Sequence, residues 1–164
     1  MYINIIKTLL IIILISISNL SIARVNYTNN QYTDFEYQKK ILFYVNEYRK
    51  KHHLSPLKMN NEISMEATRH SKNMASHATP FGHNKFNERI KRLYKQCKKC
   101  NGGAENVAYY RLDPKKLVDA WISSRGHRRN IEGNYNYTGI GIAHAKKGWG
   151  YFTQIFLRSD SGSF

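Results

Sequence analysis

Three side chains in this sequence could do chemistry together: His83 in PFGHNKFNERI, Glu105 in GGAENVAYY and His127 in SSRGHRRNI. Two imidazoles and a carboxylate suit Zn²⁺, with coordination positions left open for water. The same trio could run acid–base chemistry, with Glu105 as the catalytic base and one imidazole protonated. The plainer alternative is that each histidine satisfies a loop carbonyl or a helix end. Arg125, Arg128 and Arg129 surround His127 in sequence, which disfavours an imidazolium and leaves a neutral ring able to ligate a metal or take a proton. The three recur at equal intervals too long for one helix, so only the fold can bring them together. Each is expected where the backbone changes direction, His127 at the junction between a helix end and an alternating apolar segment.

Other chemistries lack their residues. The sequence has no HExxH, no GxSxG and no phosphate-cradling glycine loop, and its cysteines lack a papain-like setting. Ser123 and Ser124 lie near His127, but adjacency alone does not make a nucleophile. His70 falls on an apolar stripe with Ile63, Ala67 and Met74, the pattern of a core histidine.

The elements that must position these groups can be read from spacing. Asp34 caps a helix from Phe35, with Phe35, Gln38, Ile41, Leu42, Val45 and Tyr48 on one face. Asn60 or Asn61 starts a second helix. FNERIKRLYKQ forms a third through Phe86, Ile90 and Leu93. The glycine pair of CNGGAENVAYY marks a turn, and Asp113-Pro114 opens a fourth helix that buries Leu117, Val118 and Trp121. Tyr137–Ala145 and Tyr151–Arg158 read as strands joined through AKKGWG. Helices first and a hairpin last predict a single α+β layered domain.

The chain has 164 residues and a formal charge of +15. Residues 1–23 have the form of a signal peptide: Lys7, the apolar run TLLIIILISI, then small Ser21 and Ala23 at the positions signal peptidase reads. An uncleaved anchor is the alternative. Cleavage predicts a secreted, extracellular protein with no transmembrane segment, since no later run approaches the ~18 apolar residues a span needs. Residues 24–34 form a polar spacer, with an Asn26-Tyr27-Thr28 glycosylation pattern. The domain occupies 35–158, and 159–164 is a tail. Its charge attracts anionic cell-surface or wall components or lipid headgroups, without a motif for specific nucleic-acid recognition. In an oxidising compartment Cys97 and Cys100 predict a small disulfide loop. Half of a zinc site is the open alternative, short of a second CxxC.

Taken together, NEYRKKHHLSPLKMN, HSKNMAS, PFGHNKFNERI, GAENVAYY, AWISSRGHRRNI, GIGIA and YFTQIF resemble the CAP superfamily (cysteine-rich secretory proteins, antigen 5 and pathogenesis-related group 1), in its SCP-like extracellular branch. The resemblance implies an α-β-α sandwich with a central antiparallel sheet and a polar cleft. Two histidines and two acids often line that cleft, and several members bind a divalent metal through the histidines. Here His83 and His127 match the histidines, as ligands for a metal, zinc above all. Glu105 matches the acid of Ala104-Glu105-Asn106, placing Asn106 on the cleft too. The second acid falls on Ser124, a departure that makes the site less anionic. The expected protein is a monomeric, metal-capable binding or defence-type module without an assigned reaction. Its alternatives are a hydrolase of an acidic extracellular substrate and a lipid or sterol carrier.

Overall fold

The computed structural model describes residues 33–97, 99–161 and 164. The expected signal peptide, the glycosylation pattern and the spacer up to residue 32 lie outside the described residues. The elements are α1 (Asp34–Lys51), β1 (Lys58–Met59), α2 (Asn61–Ala75), α3 (Phe86–Tyr94), β2 (Cys100–Arg111), α4 (Pro114–Ser123), α5 (Arg125–Glu132), β3 (Tyr137–His144), a 3₁₀ turn (Lys146–Gly148) and β4 (Trp149–Ser159). The sheet order is β1-β3-β4-β2. It is antiparallel except where β1 runs parallel to β3 for two residues. Among the described residues no helix is long and apolar enough to cross a membrane.

The alternation in GIGIA creates the layers. Successive strand residues face opposite sides of a sheet. Ile140 and Ile142 enter one core with Ile41 and Val45 of α1, Leu117 and Trp121 of α4, and Ile131 of α5. The intervening Gly139 and Gly141 face α2. A Cβ on Gly141 would overlap the Ala67–Thr68 peptide, and one on Gly139 would overlap the Ile63–Ser64 peptide. Helix α2 therefore lies directly on the strand backbone. Its neighbours Ile90 and Leu93 of α3 complete the second core with Ile155 and Leu157 of β4. The result is the expected α-β-α sandwich.

Buried polar groups tie the layers together. Arg49 is 2 % exposed and, among the described residues, meets no carboxylate; it donates instead to the carbonyls of Ser55, Ile131, Gly133 and Tyr135. These bonds fasten α1 to the segment between α5 and β3. Glu66 of α2 accepts from Arg92 of α3 at 2.8 and 3.1 Å. His70 is buried on the expected stripe, and its Nε2 lies 2.8 Å from the Gly82 carbonyl, pinning the loop after α2.

Several expectations are corrected. Phe35 is 62 % exposed, because Tyr37, Ile41, Val45 and Arg49, spaced by four, set the buried line of α1. The glycine pair is not a turn but part of β2: the register shifts between Asn101 and Gly103, and Gly102 has φ +61°. That is a bulge, which needs one extra residue in a permissive conformation. Gly126 and His127 lie inside helix α5, where a junction was expected, and Glu105 lies mid-strand. Only His83 sits at a bend. Cys97 and Cys100 form the predicted disulfide across the entry to β2.

Two measurements test this packing. Gly141→Ala should destabilise the fold by about 1–3 kcal/mol or more in urea denaturation, since two backbones must separate; an unchanged midpoint would disprove the close approach. Stability should also fall on acidification through His70. Burial, then the charge of Arg89 in α3, holds its imidazole below the ordinary histidine range, with His83 adding to this and the Gly82 carbonyl and Glu105 opposing it. Above about pH 6.5 neither state protonates this ring, so its contribution is fully present. Below that, the unfolded chain takes a proton that the folded state refuses, and stability is lost down to the folded pKa. His70→Gln should flatten the decline; an equally steep decline in that variant would exclude His70 as its source.

Candidate functional site

The site is built around a carboxylate that cannot see water. Glu105 is 4 % exposed and faces α2 and α3, since its partner in β4 is Ile155 of the second core. A buried charge must be paired or it neutralises. Arg89 of α3 supplies the pairing in a two-pronged contact, Nη2 to Oε1 at 2.7 Å and Nε to Oε2 at 2.8 Å. The third nitrogen of Arg89 donates to the Asn84 carbonyl at 2.7 Å, which holds the loop before α3. His70 stands 3.9 Å from Oε1, its Nε2 directed at Gly82.

His83 completes the cluster from the loop between α2 and α3. Its Nδ1 lies 2.9 Å from Glu105 Oε1, while its side chain is 51 % exposed. An ionised carboxylate only accepts hydrogen bonds, so Nδ1 carries a proton in this contact, and the ring could ligate a metal only through Nε2.

His127 comes from the opposite layer, on the first turn of α5. Two asparagines lock that helix to β2. Asn106 Nδ2 donates to the His127 carbonyl at 3.2 Å, and Asn130 Nδ2 donates to Asn106 Oδ1 at 2.8 Å and to the Glu105 carbonyl at 3.1 Å. Adjacent strand residues thus serve opposite layers, Glu105 holding the His83 loop and Asn106 holding the His127 helix. Burial, then the charge of His83, pushes the His127 imidazole below the ordinary histidine range. Arg125 and Arg129 are exposed, and Arg128 reaches back to the Ile122 carbonyl.

Both histidines border one cavity of about 510 Å³, whose lining includes Trp121, Ser124 and β2 from Val107 to Tyr110. A second cavity of about 310 Å³ adjoins it at His83 and includes Glu105 and Asn130. The structure thus gathers His83 and Glu105 in direct contact and sets His127 and Ser124 on the same cavity as His83. Asn106 is wholly buried as a brace. Among the described residues no group of three or more His, Cys, Asp or Glu side chains is placed to hold a metal ion, so a metal here would have to rest on fewer protein ligands. The imidazole-bearing residues of the larger cavity's lining are His83 and His127.

The sequence reading missed Arg89, Asn130 and the contact of His70 with this cluster. Arg89 lies three residues after Phe86 and one before Ile90, on the buried face of its helix. A charge at that phase is the signal that could have found it. Asn130 lies one turn after His127 and faces the same strand, but nothing in its type marks it.

The fold has known counterparts. The family model for the cysteine-rich secretory protein family (CAP) matches residues 42–156. YkwD of Bacillus subtilis is 32 % identical over 126 residues, covering 74 % of this chain and 47 % of its own length. The chain therefore spans less than half of that relative. Among solved structures, an outer surface protein from Borrelia burgdorferi superposes with a TM-score of 0.68 at 19 % identity, covering 80 % of this chain and 98 % of that one, which speaks to fold alone. An extracellular protein containing an SCP domain from Bacillus anthracis gives a TM-score of 0.61 at 26 % identity, covering 76 % and 41 %. With the family match spanning most of its length and the sandwich shared with these structures, the chain belongs to the CAP, or cysteine-rich secretory protein, family.

Proposed function

We propose that this protein is a secreted binding module whose cleft takes a divalent metal, zinc above all, through His83 and His127, with no reaction assigned. The observation that carries this reading is the His83–Glu105 contact. A carboxylate on Nδ1 fixes the tautomer and turns the Nε2 lone pair outward, as the supporting shell of a metal-ligating histidine does. His127 borders the same cavity with a ring that stays neutral, the form that ligates. Two imidazoles fit a zinc ion whose remaining positions go to water or to a bound ligand. Zinc held there would supply Lewis-acid polarisation of that ligand.

Glu105 orients rather than reacts in this reading. Both of its oxygens accept from Arg89, and among the described residues the 510 Å³ cavity that both histidines border has no carboxylate in its lining. That geometry favours a binding module over the hydrolase alternative. The formal charge of +15 directs the protein toward anionic cell-surface or wall components.

Zinc at 100 times its dissociation constant should stabilise the wild type by about 2.7 kcal/mol, read as a rise in Tm, and His83→Ala or His127→Ala should remove the gain. No rise in the wild type would overturn the metal reading. Glu105→Gln should weaken zinc binding by about 10–100-fold by calorimetry. It should also destabilise the fold by about 3–5 kcal/mol, since Arg89 is left buried without its anion. Wild-type zinc affinity in a folded Glu105→Gln protein would remove Glu105 from the orienting role.

A further inference from the structure

Past Glu105, strand β2 runs out from under α3. Ile90 of that helix lies against Gly103 and Arg89 against Glu105, whereas Tyr109 and Arg111, further along the same face, are exposed. Their partners in β4 are Tyr151 and Trp149. With Phe81, from the loop after α2, these side chains form one row. Ring centres are 6.3 Å apart from Phe81 to Tyr151, 4.7 Å from Tyr151 to Tyr109 and 4.9 Å from Tyr109 to Trp149. The Arg111 guanidinium ends the row, 5.1 Å from the Trp149 ring. Phe81 is 56 % exposed and Tyr109 44 %. Cations border the rings. Arg111 Nη1 donates to the Lys147 carbonyl at 3.3 Å, which sets the exposed Lys146 and Lys147 of the 3₁₀ turn beside it. Among the described residues Arg111, Lys146 and Lys147 form no ion pair. Asp113, the acid close to Arg111 in sequence, is engaged elsewhere: it caps α4 and stands 3.6 Å from Lys116 Nζ.

We propose that this row docks the protein on an anionic lipid membrane, with Phe81, Tyr109, Trp149 and Tyr151 entering the headgroup layer and Arg111, Lys146 and Lys147 meeting lipid phosphates. An exposed phenylalanine in a continuous aromatic row gains by leaving water. Tyrosine and tryptophan, apolar rings with a polar tip, settle at headgroup depth, and Lys or Arg beside them draws anionic lipid. The geometry favours a bilayer over a glycan or a single-stranded nucleic acid. Bases and sugar rings pack on open ring faces. Here Tyr109 and Trp149 turn a face to each other, 20° from parallel, and Arg111 lies against the indole. Entry into headgroups needs only the outer edges of such a row. Phe81 and Tyr109 also line the 510 Å³ cavity, so docking sets the His83 cleft beside the membrane surface. The assignment narrows the anionic partner of the proposed function to lipid and rests on that part of the reading, not on the metal.

The test uses the chain as secreted, freed of metal with a chelator, and its own tryptophans. Of the two, Trp121 is 2 % exposed and shielded, while Trp149 stands in the row. Vesicles of phosphatidylcholine and phosphatidylglycerol in equal parts should sediment the protein and shift its emission to the blue, and lipids brominated near the headgroup should quench it. Trp149→Phe should abolish the shift and the quenching. Phe81→Ser and Lys147→Gln, both at exposed positions, should each weaken vesicle binding about fivefold. Lys58→Gln, the same loss of charge on β1 at the opposite edge of the sheet, should leave it nearly unchanged. Phosphatidylcholine alone should bind far less. No binding to the anionic vesicles overturns the proposal. Binding without quenching of Trp149, or weakened as much by Lys58→Gln as by Lys147→Gln, means adsorption by net charge and removes this docking surface, while the reading of a module for anionic surfaces stands. Heparin or a single-stranded RNA that changes Trp149 emission at lower concentration than the vesicles overturns the choice of lipid. Failure to bind vesicles and heparin alike would instead sink the anionic partner of the proposed function.

Discussion

The site depends on one electrostatic constraint: the Glu105 carboxylate, buried in the middle of a strand, has to be neutralised from within. Arg89 does this with two parallel hydrogen bonds, and everything around the pair follows. The position of Arg89 fixes where α3 lies against β2. Its remaining nitrogen fixes Asn84, and the carboxylate's spare accepting capacity fixes His83. Removing either charge would strand the other in a medium that cannot solvate it. A loop with few apolar contacts of its own thereby gains a defined shape.

The opposite wall of the cleft is organised by neutral groups. Asn106 and Asn130 bind each other and the backbone of both α5 and β2. An amide offers donors and an acceptor in one plane, so two of them can lock a helix to a strand without bringing in charge. The cleft therefore has one wall held by an ion pair and one held by amides. The His127 side is braced without a buried ion pair, and burial lowers the proton affinity of that imidazole.

Much of the fold was legible in the sequence because it rests on periodicity. The stripe of Ile63, Ala67, His70 and Met74 is buried as its spacing predicts, and Asp113 caps α4 by accepting from Lys116 N at 3.0 Å. The two closing strands lie close to where alternation places them. The failures arose where local signals were ambiguous. Gly102 and Gly103 carry the composition of a turn, but a bulge lets β2 run on through them. Helix α5 is short, polar on most of its circumference, and buries Ile131 alone, too little for periodicity to register. The resemblance singled out His83, Glu105 and His127, and their approach to a common cleft depends on pairings between distant residues that spacing cannot encode. Glu105 was the right residue to notice, but its environment makes it an anchor, because a guanidinium from a separate helix occupies both oxygens.

The two histidines that border the cleft belong to different slabs of the sandwich, His83 to the α2–α3 side and His127 to the α4–α5 side. Any guest that grips both therefore rivets the slabs together along β2, an edge strand of the sheet. Occupancy would be felt far from the guest, as slower solvent exchange of amides along the seam between α3, β2 and α5.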